Sequence, residues 1–175
     1  MIIPLIPAKA GTQADSVWAP AFAGVGGFGG GVLVQIIRVA DDLPEGFAKL
    51  SAEAKAEGVR NMTLLADQRA SGEQRFDSGG AALFAAFGGG ELAGVGGVSA
   101  EASEPAMRMR RLYVRPRFRR SGVGRALAGA MMQQGLQASS VLTVNARASD
   151  AAGPFWEALG FRPVEAPGYT HRLEA

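Results

Sequence analysis

One stretch of the chain constrains its fold more than any other. From Met107 to Val114 the residues read as a strand, with β-branched and aromatic types gathered toward the end. Pro116 follows at once and has no N–H to give to a sheet, so regular pairing must stop there. The next residues are Arg119-Arg120-Ser121-Gly122-Val123-Gly124-Arg125, with Ser121 the expected helix N-cap. Val123, Leu127, Ala130 and Met131 then recur at helical spacing. The unit is strand, short basic loop, helix.

A helix entered this way presents unpaired N–H groups and the positive end of its dipole. Glycines at 122 and 124 let a phosphate approach the backbone, and Arg119, Arg120 and Arg125 bring positive charge to the same place. A glycine turn before a helix is, by itself, more often structural than functional. The order of the residues is more specific. Arg119-x-x-Gly122-x-Gly124 resembles the acyl-coenzyme A signature of the GNAT N-acetyltransferases, and Leu112-Tyr113-Val114-x-Pro116 is similar to the strand ending that precedes it in that family. Downstream, Leu142-Thr143-Val144-Asn145 and Phe155-Trp156-Glu157-Ala158-Leu159-Gly160-Phe161 resemble the family's fifth strand and fourth helix.

The resemblance implies an α/β, GNAT-type three-layer fold: a central mixed, mostly antiparallel sheet of about seven strands flanked by helices, with the fourth and fifth strands splayed. It implies acetyl transfer from acetyl-CoA to a primary amine by direct attack in a ternary complex, with no acyl-enzyme and no metal. The implied cosubstrate contacts are Leu112, Tyr113, Val114, Arg119, Arg120, Ser121, Gly122, Val123, Gly124, Arg125, Asn145 and Trp156. Two positions depart from the family. Trp156 stands where many relatives carry a tyrosine that protonates the departing thiolate, and an indole N–H cannot act as that acid. Arg108 stands where a glutamate often deprotonates the amine. Ser149 and Tyr169 are therefore the candidate catalytic hydroxyls, with solvent as the alternative proton source. His171, the one histidine, is a candidate base by its ordinary pKa but is more simply a packed or surface residue. By strand alternation Arg108 and Arg110 share a face with Leu112.

The rest of the chain sets the frame. At 175 residues with 47% hydrophobic and 19% charged, it suits one globular domain. The formal charge is only +2, yet eight arginines fall between Arg108 and Arg125. That density admits a nucleic-acid binder as a rival, but the segment adds only Tyr113 and Phe118 as stacking residues. A second rival is a catalytically silent acetyl-CoA-binding module. There is no cysteine, hence no disulfide framework and no thiolate site, which fits a reducing cytoplasm. The expected partners are acetyl-CoA and a small-molecule or peptide amine, without nucleic acid or membrane, and with a homodimer left open.

Residues 1–31 read differently. They are rich in glycine and proline without periodicity, and part of the run resembles translated repetitive bacterial intergenic DNA. A mobile tail or gene-model artefact is expected there, with the acetyltransferase domain over 32–175. Gly24-x-Gly26-x-x-Gly29 matches a dinucleotide fingerprint in form only, because no strand precedes it and no helix follows. Between 32 and 101 the patterns predict a strand over 32–39, helices between Pro44 and Gly58 and over 59–68, and a hairpin from Ala82 to Val98. Arg60, Asn61, Arg69, Glu73, Arg75 and Asp77 are the polar residues this half offers to an acceptor pocket.

Overall fold

The computed structural model describes residues 33–175; the expectations for residues 1–31 lie outside the described residues. The chain runs β1 (Val34–Val39), α1 (Phe47–Ala56), α2 (Asn61–Ser71), β2 (Ala82–Gly88), β3 (Glu91–Ala100), β4 (Met107–Val114), α3 (Val123–Ala138), β5 (Val141–Val144), α4 (Ala152–Glu157), β6 (Arg162–Pro163) and β7 (His171–Glu174). The seven strands form one sheet in the order β1-β2-β3-β4-β5-β7-β6. Every neighbouring pair is antiparallel except β4 and β5. The strand over 107–114 ends at Val114, just before the proline, as expected.

Each helix packs through the stripe its sequence carries. On α1, Phe47, Leu50 and Ala54 are buried. On α3, Val123, Leu127, Ala130 and Met131 are buried. Strand alternation divides the core between the two faces: Ala82, Phe84 and Ala86 pack toward α3, while Leu83 and Ala85 pack toward α1 and α2. With a helix layer on either side, β2 needs a nearly unbroken apolar run, and it has one. Each fully buried leucine or methionine in these clusters contributes about 1.5–3 kcal/mol.

The sheet departs from regularity at one consequential point. Pairing of β3 with β4 runs Ala100↔Met107 to Gly97↔Arg110, then slips, so that Val95 faces Tyr113 and Gly94 faces Val114. Gly96 alone stands opposite Arg111 and Leu112, which is a β-bulge. Arg111 takes φ 58° there, a left-handed conformation costing a non-glycine residue about 1–2 kcal/mol. The bulge corrects the alternation expected from sequence. Leu112 does not share a face with Arg108 and Arg110; it packs on the α3 side, against the core that holds Met131. Arg110 and Arg111 instead both point toward the α2 side, the first bonding Ser99 of β3 and the second Gln68 of α2.

Close packing around β3 depends on glycines. A Cβ on Gly97 would stand 2.6 Å from Cε1 of buried Phe76. Gly97→Val should therefore lower stability by about 1–3 kcal/mol, the usual cost of overpacking. Urea unfolding should show a lower midpoint at unchanged slope; an unchanged midpoint would contradict the Phe76 contact.

Candidate functional site

The parallel pairing of β4 with β5 lasts only three residues, Met107↔Leu142 to Met109↔Val144. Beyond it the strands part. Val144 and Ala146 turn to the β7 side: Thr170 N donates to Val144 O at 3.0 Å, and Ala146 N donates to Thr170 Oγ1 at 2.9 Å. In an antiparallel ladder every second N–H and C=O faces away from the partner. On β4 past Met109, the groups turned away from β3 therefore have no strand to meet. Into this opening runs a cleft of about 750 Å³, lined by β4 from Met109 to Val114, the α3 entrance, Val144, Asn145, Ser149, the α4 residues Phe155 and Trp156, and Glu57, Val59 and Asn61 at the α1–α2 junction.

At one end of the cleft the backbone enters α3. Arg120 has φ 64° and Gly122 φ 90°, and Gly122 occupies the N-cap position. The sequence expectation for Ser121 needs correction here. Its hydroxyl donates to Phe118 O at 2.6 Å and caps nothing, because the left-handed turn at Gly122 carries the chain into the helix. The first intrahelical bond is Ala126 N to Gly122 O, leaving the N–H groups of Val123, Gly124 and Arg125 without intrahelical partners. Nothing lies within 4 Å of a Cβ built on Gly122. Arg120, Gly122, Gly124 and Arg125 line the cleft, and both arginines are exposed. Val123 is buried in the core, so only its backbone is available. Free N–H groups at a helix start beside two exposed guanidiniums are an arrangement that can accept an anion.

Arg119 is placed differently from its neighbours. Its Nη1 and Nη2 donate to the two Glu57 oxygens at 2.8 and 2.6 Å, and its Nε donates to Val114 O at 2.9 Å. It stands in the cleft wall as a tie between the end of β4 and the end of α1. Glu57 also accepts from the Tyr113 hydroxyl at 2.6 Å. The Arg119 bonds, then the Tyr113 bond, hold the Glu57 carboxyl below the usual glutamate range. Burial and the Glu57 carboxylate push the Tyr113 hydroxyl far up. Arg115 makes a parallel tie: only 2% exposed, it donates to Glu53 Oε2 at 2.7 Å, Glu53 Oε1 at 2.5 Å and Leu92 O at 2.9 Å. Arg108 and Arg117 pair with Glu101 and Glu91. Half of the arginine cluster thus serves the fold.

The catalytic candidates are distributed unevenly. Ser149 lines the cleft and is exposed. Trp156 lines it too, 4% exposed and packed edge-on between Phe155 and Phe161. Tyr169 does not line the cleft: its hydroxyl donates to Glu104, a bond that raises its pKa. His171 is also elsewhere, buried with Nδ1 by Thr170 Oγ1 and Nε2 3.4 Å from Glu157. Asn145 forms a turn, accepting Arg147 N and donating to Gly168 O, while bordering the cleft. Of the six polar residues offered for the acceptor, only Asn61 lines it. Leu112, Tyr113 and Val114 all do.

The lining residues that escaped the sequence reading include Glu57, Phe155, Arg110 and Arg111. One signal was available for the last two. Apolar and polar residues alternate through Met107-Arg108-Met109-Arg110, then slip by one at Arg111-Leu112, which is the pattern a bulge leaves. Among the described residues no group of three or more acidic, histidine or cysteine side chains could hold a metal, and no helix is long and apolar enough to cross a membrane.

A family model for the acetyltransferase (GNAT) domain matches residues 46–175. Among solved structures, a protein of Exiguobacterium sp. 255-15 assigned as an acetyltransferase is 28% identical, with a TM-score of 0.73 over 81% of this chain and 93% of that one. A GNAT-family protein of Desulfovibrio desulfuricans is 20% identical, with a TM-score of 0.60 over 81% of this chain and 99% of that one. An acetyltransferase of Streptococcus agalactiae 2603 is 11% identical, with a TM-score of 0.64 over 81% and 98%. The last two show the fold alone. No curated protein matches in sequence.

The Arg119–Glu57 tie has a pH signature. Glu57 titrates lower in the folded chain than in the unfolded one, so the unfolded chain takes up the proton first as pH falls. The tie's contribution is full above the ordinary glutamate value of 4.5 and is lost as pH drops through the folded value. Both side chains are partly exposed, so solvent screening limits it to about 0.5–1 kcal/mol. Arg119→Ala should lose that amount at pH 7 and less at pH 3, read from urea midpoints; an equal loss at both would show the pair is not the source.

Proposed function

Because the chain belongs to the GNAT acetyltransferase family, we propose that it moves an acetyl group from acetyl-CoA to the primary amine of an acceptor, by direct attack with both substrates bound. The observation that carries this reading is the α3 entrance, where free N–H groups, left-handed Gly122 and exposed Arg120 and Arg125 meet at one end of the cleft. These groups fit a pyrophosphate. Leu112, Tyr113 and Val114, beside the missing β5 pairing, are where an extended thioester arm would complete the sheet edge. Acetyl-CoA supplies the activated acyl group, and the chain supplies placement and polar stabilisation.

The reaction forms a C–N bond and breaks a C–S bond. A neutral amine nitrogen attacks the thioester carbonyl, the oxygen gains negative charge, the thiolate leaves with the electron pair and takes up a proton, and the nitrogen gives up one proton to water as the amide forms. On this reading a backbone N–H of β4 facing the opening stabilises the oxyanion. The proton for the thiolate comes from Ser149 or from water, since Trp156 has no acidic hydrogen near neutral pH and Tyr169 is held by Glu104. Glu57 is the single carboxylate among the described lining residues. Its bonds to Arg119 and Tyr113 make it a weak base, suited to orienting an ammonium group rather than deprotonating it. Trp156 and Arg108, at the positions of the usual acid and base, keep a silent acetyl-CoA-binding module as the second reading.

Two measurements test the proposal. Acetyl-CoA should bind with micromolar-range affinity by calorimetry. Gly124→Val should abolish that binding while the fold survives, because a Cβ there meets Phe155 and Val114 only at an ordinary 3.6 Å. Gly122→Val is the less clean variant, since φ 90° strains any side chain. Normal binding by Gly124→Val would move the cosubstrate off the α3 entrance.

The second reading is separated by turnover. With a broad amine panel, Trp156→Tyr should raise the chemical rate and add a basic-limb pKa if proton donation limits the enzyme. A silent Trp156→Tyr with a slowed Ser149→Ala would assign the proton to Ser149. Binding without turnover on any amine would leave the module.

A further inference from the structure

The bulge at Arg111 turns two consecutive arginines, Arg110 and Arg111, into the cleft on the α2 side of the sheet. Both are half-buried, and neither makes an ion pair among the described residues. This sets them apart from Arg108, Arg115, Arg117 and Arg119 in the same segment, each of which holds a glutamate.

Their remaining partners are few and neutral. Arg110 donates through Nε to Ser99 Oγ at 2.8 Å, and no described residue accepts from its terminal nitrogens. Arg111 donates one Nη2 bond to Gln68 Oε1 at 2.6 Å, while its Nε is buried without a partner. The carboxylates near enough to act on them are already committed. Glu101 accepts from Arg108, Thr143 and Ala102 N, and Glu73 accepts from Gln68 Nε2. Burial, then the neighbouring Arg108 charge, works against the charged state of both guanidiniums. A half-buried cation with an unused planar donor edge is costly to leave unmatched.

The α3 entrance cannot be what these two arginines serve. From Arg111 to Val114 alone an extended strand covers about 10 Å, and the entrance lies beyond, while Arg111 is turned toward α2, where it bonds Gln68. We infer that Arg110 and Arg111 recognise an anionic group on the acceptor, so that the amine substrate is a small molecule carrying a carboxylate or a phosphate. The inference rests on the acetyl-transfer reading only in placing the acceptor at this end of the cleft.

The test separates the two. Wild-type protein saturated with coenzyme A, which fills the α3 entrance and cannot transfer acetyl, is titrated calorimetrically with matched probes. These are L-amino acids against their carboxamides, and phosphoethanolamine against ethanolamine. The expected result is an anionic member bound about 10- to 100-fold more tightly than its neutral match, with the better arm naming carboxylate or phosphate. Arg110→Gln and Arg111→Gln should each remove most of that preference while coenzyme A affinity stays at the wild-type value. Equal binding within every pair, no binding by any probe, or a preference retained in folded variants would overturn the inference. Replacing coenzyme A by acetyl-CoA then reads the reaction itself. Anion preference without acetylated product would sink the transfer reading and leave the anion site standing; equal acetylation of neutral and anionic amines would do the reverse.

Discussion

The rest of the structure depends on β4 being shared between two incompatible geometries. Toward β3 it must complete an antiparallel ladder eight residues long; toward β5 it holds a parallel pairing of three residues and then lets go. A regular strand would keep its alternation throughout, and its second edge would invite a continuous partner. The bulge at Arg111 breaks that regularity at the point where the pairing with β5 has just ended. The strained φ of Arg111 is held by what surrounds it: Leu112 packed toward α3, Tyr113 bonded to Glu57, and the Arg111 guanidinium bonded to Gln68. Strain of this kind persists only where neighbouring contacts over-determine it.

The same strand explains how a segment so dense in arginine folds without self-repulsion. Arg115 and Arg119 reach back to Glu53 on α1 and to Glu57, its C-cap residue one turn further on, so two like charges become two staples between the end of β4 and that helix. Arg117 meets Glu91 and Arg108 meets Glu101, both on β3 or just past its end. What remains is positive charge at two places in one cleft: Arg120 and Arg125 at the α3 entrance, Arg110 and Arg111 on the α2 side.

Much of this was legible beforehand, and the exceptions share a cause. The strand over 107–114, the stripe Val123–Leu127–Ala130–Met131 and the hairpin around Gly88-Gly89-Gly90 follow from local pattern, and local pattern is what a single sequence displays. The α3 entrance was legible because glycine spacing reports backbone shape directly. Ser121 misled because a serine before a helical pattern is a good cap only if the chain turns there, and the left-handed Gly122 took that position. The roles of Arg119 and Tyr169 depended on Glu57 and Glu104, 62 and 65 residues away, and no local pattern announces such partners. Arg110 and Arg111 became distinct from the other arginines only once the slip in register gave them a common direction.

The distribution of charge bears on the reaction as much as on binding. An alkyl amine near pKa 10 is mostly protonated at neutral pH, whereas a thiol pKa near 8.5 lies closer to neutrality, so a departing thiolate needs less help. On the proposed reaction, the harder task is therefore to obtain the neutral amine. Guanidiniums beside an ammonium ion disfavour its charged form, lowering the amine's pKa without a base accepting the proton at a fixed atom. The same positive field favours the thiolate and the oxyanion. With Arg120 and Arg125 matched to a pyrophosphate and Arg110 and Arg111 to the acceptor's anion, that bias is only partial, and Glu57, the single carboxylate among the described lining residues, opposes it. On the proposed reaction, with Arg108 and Trp156 at the positions of the family's usual base and acid, the proton leaving the amine and the proton reaching the thiolate pass through water or Ser149.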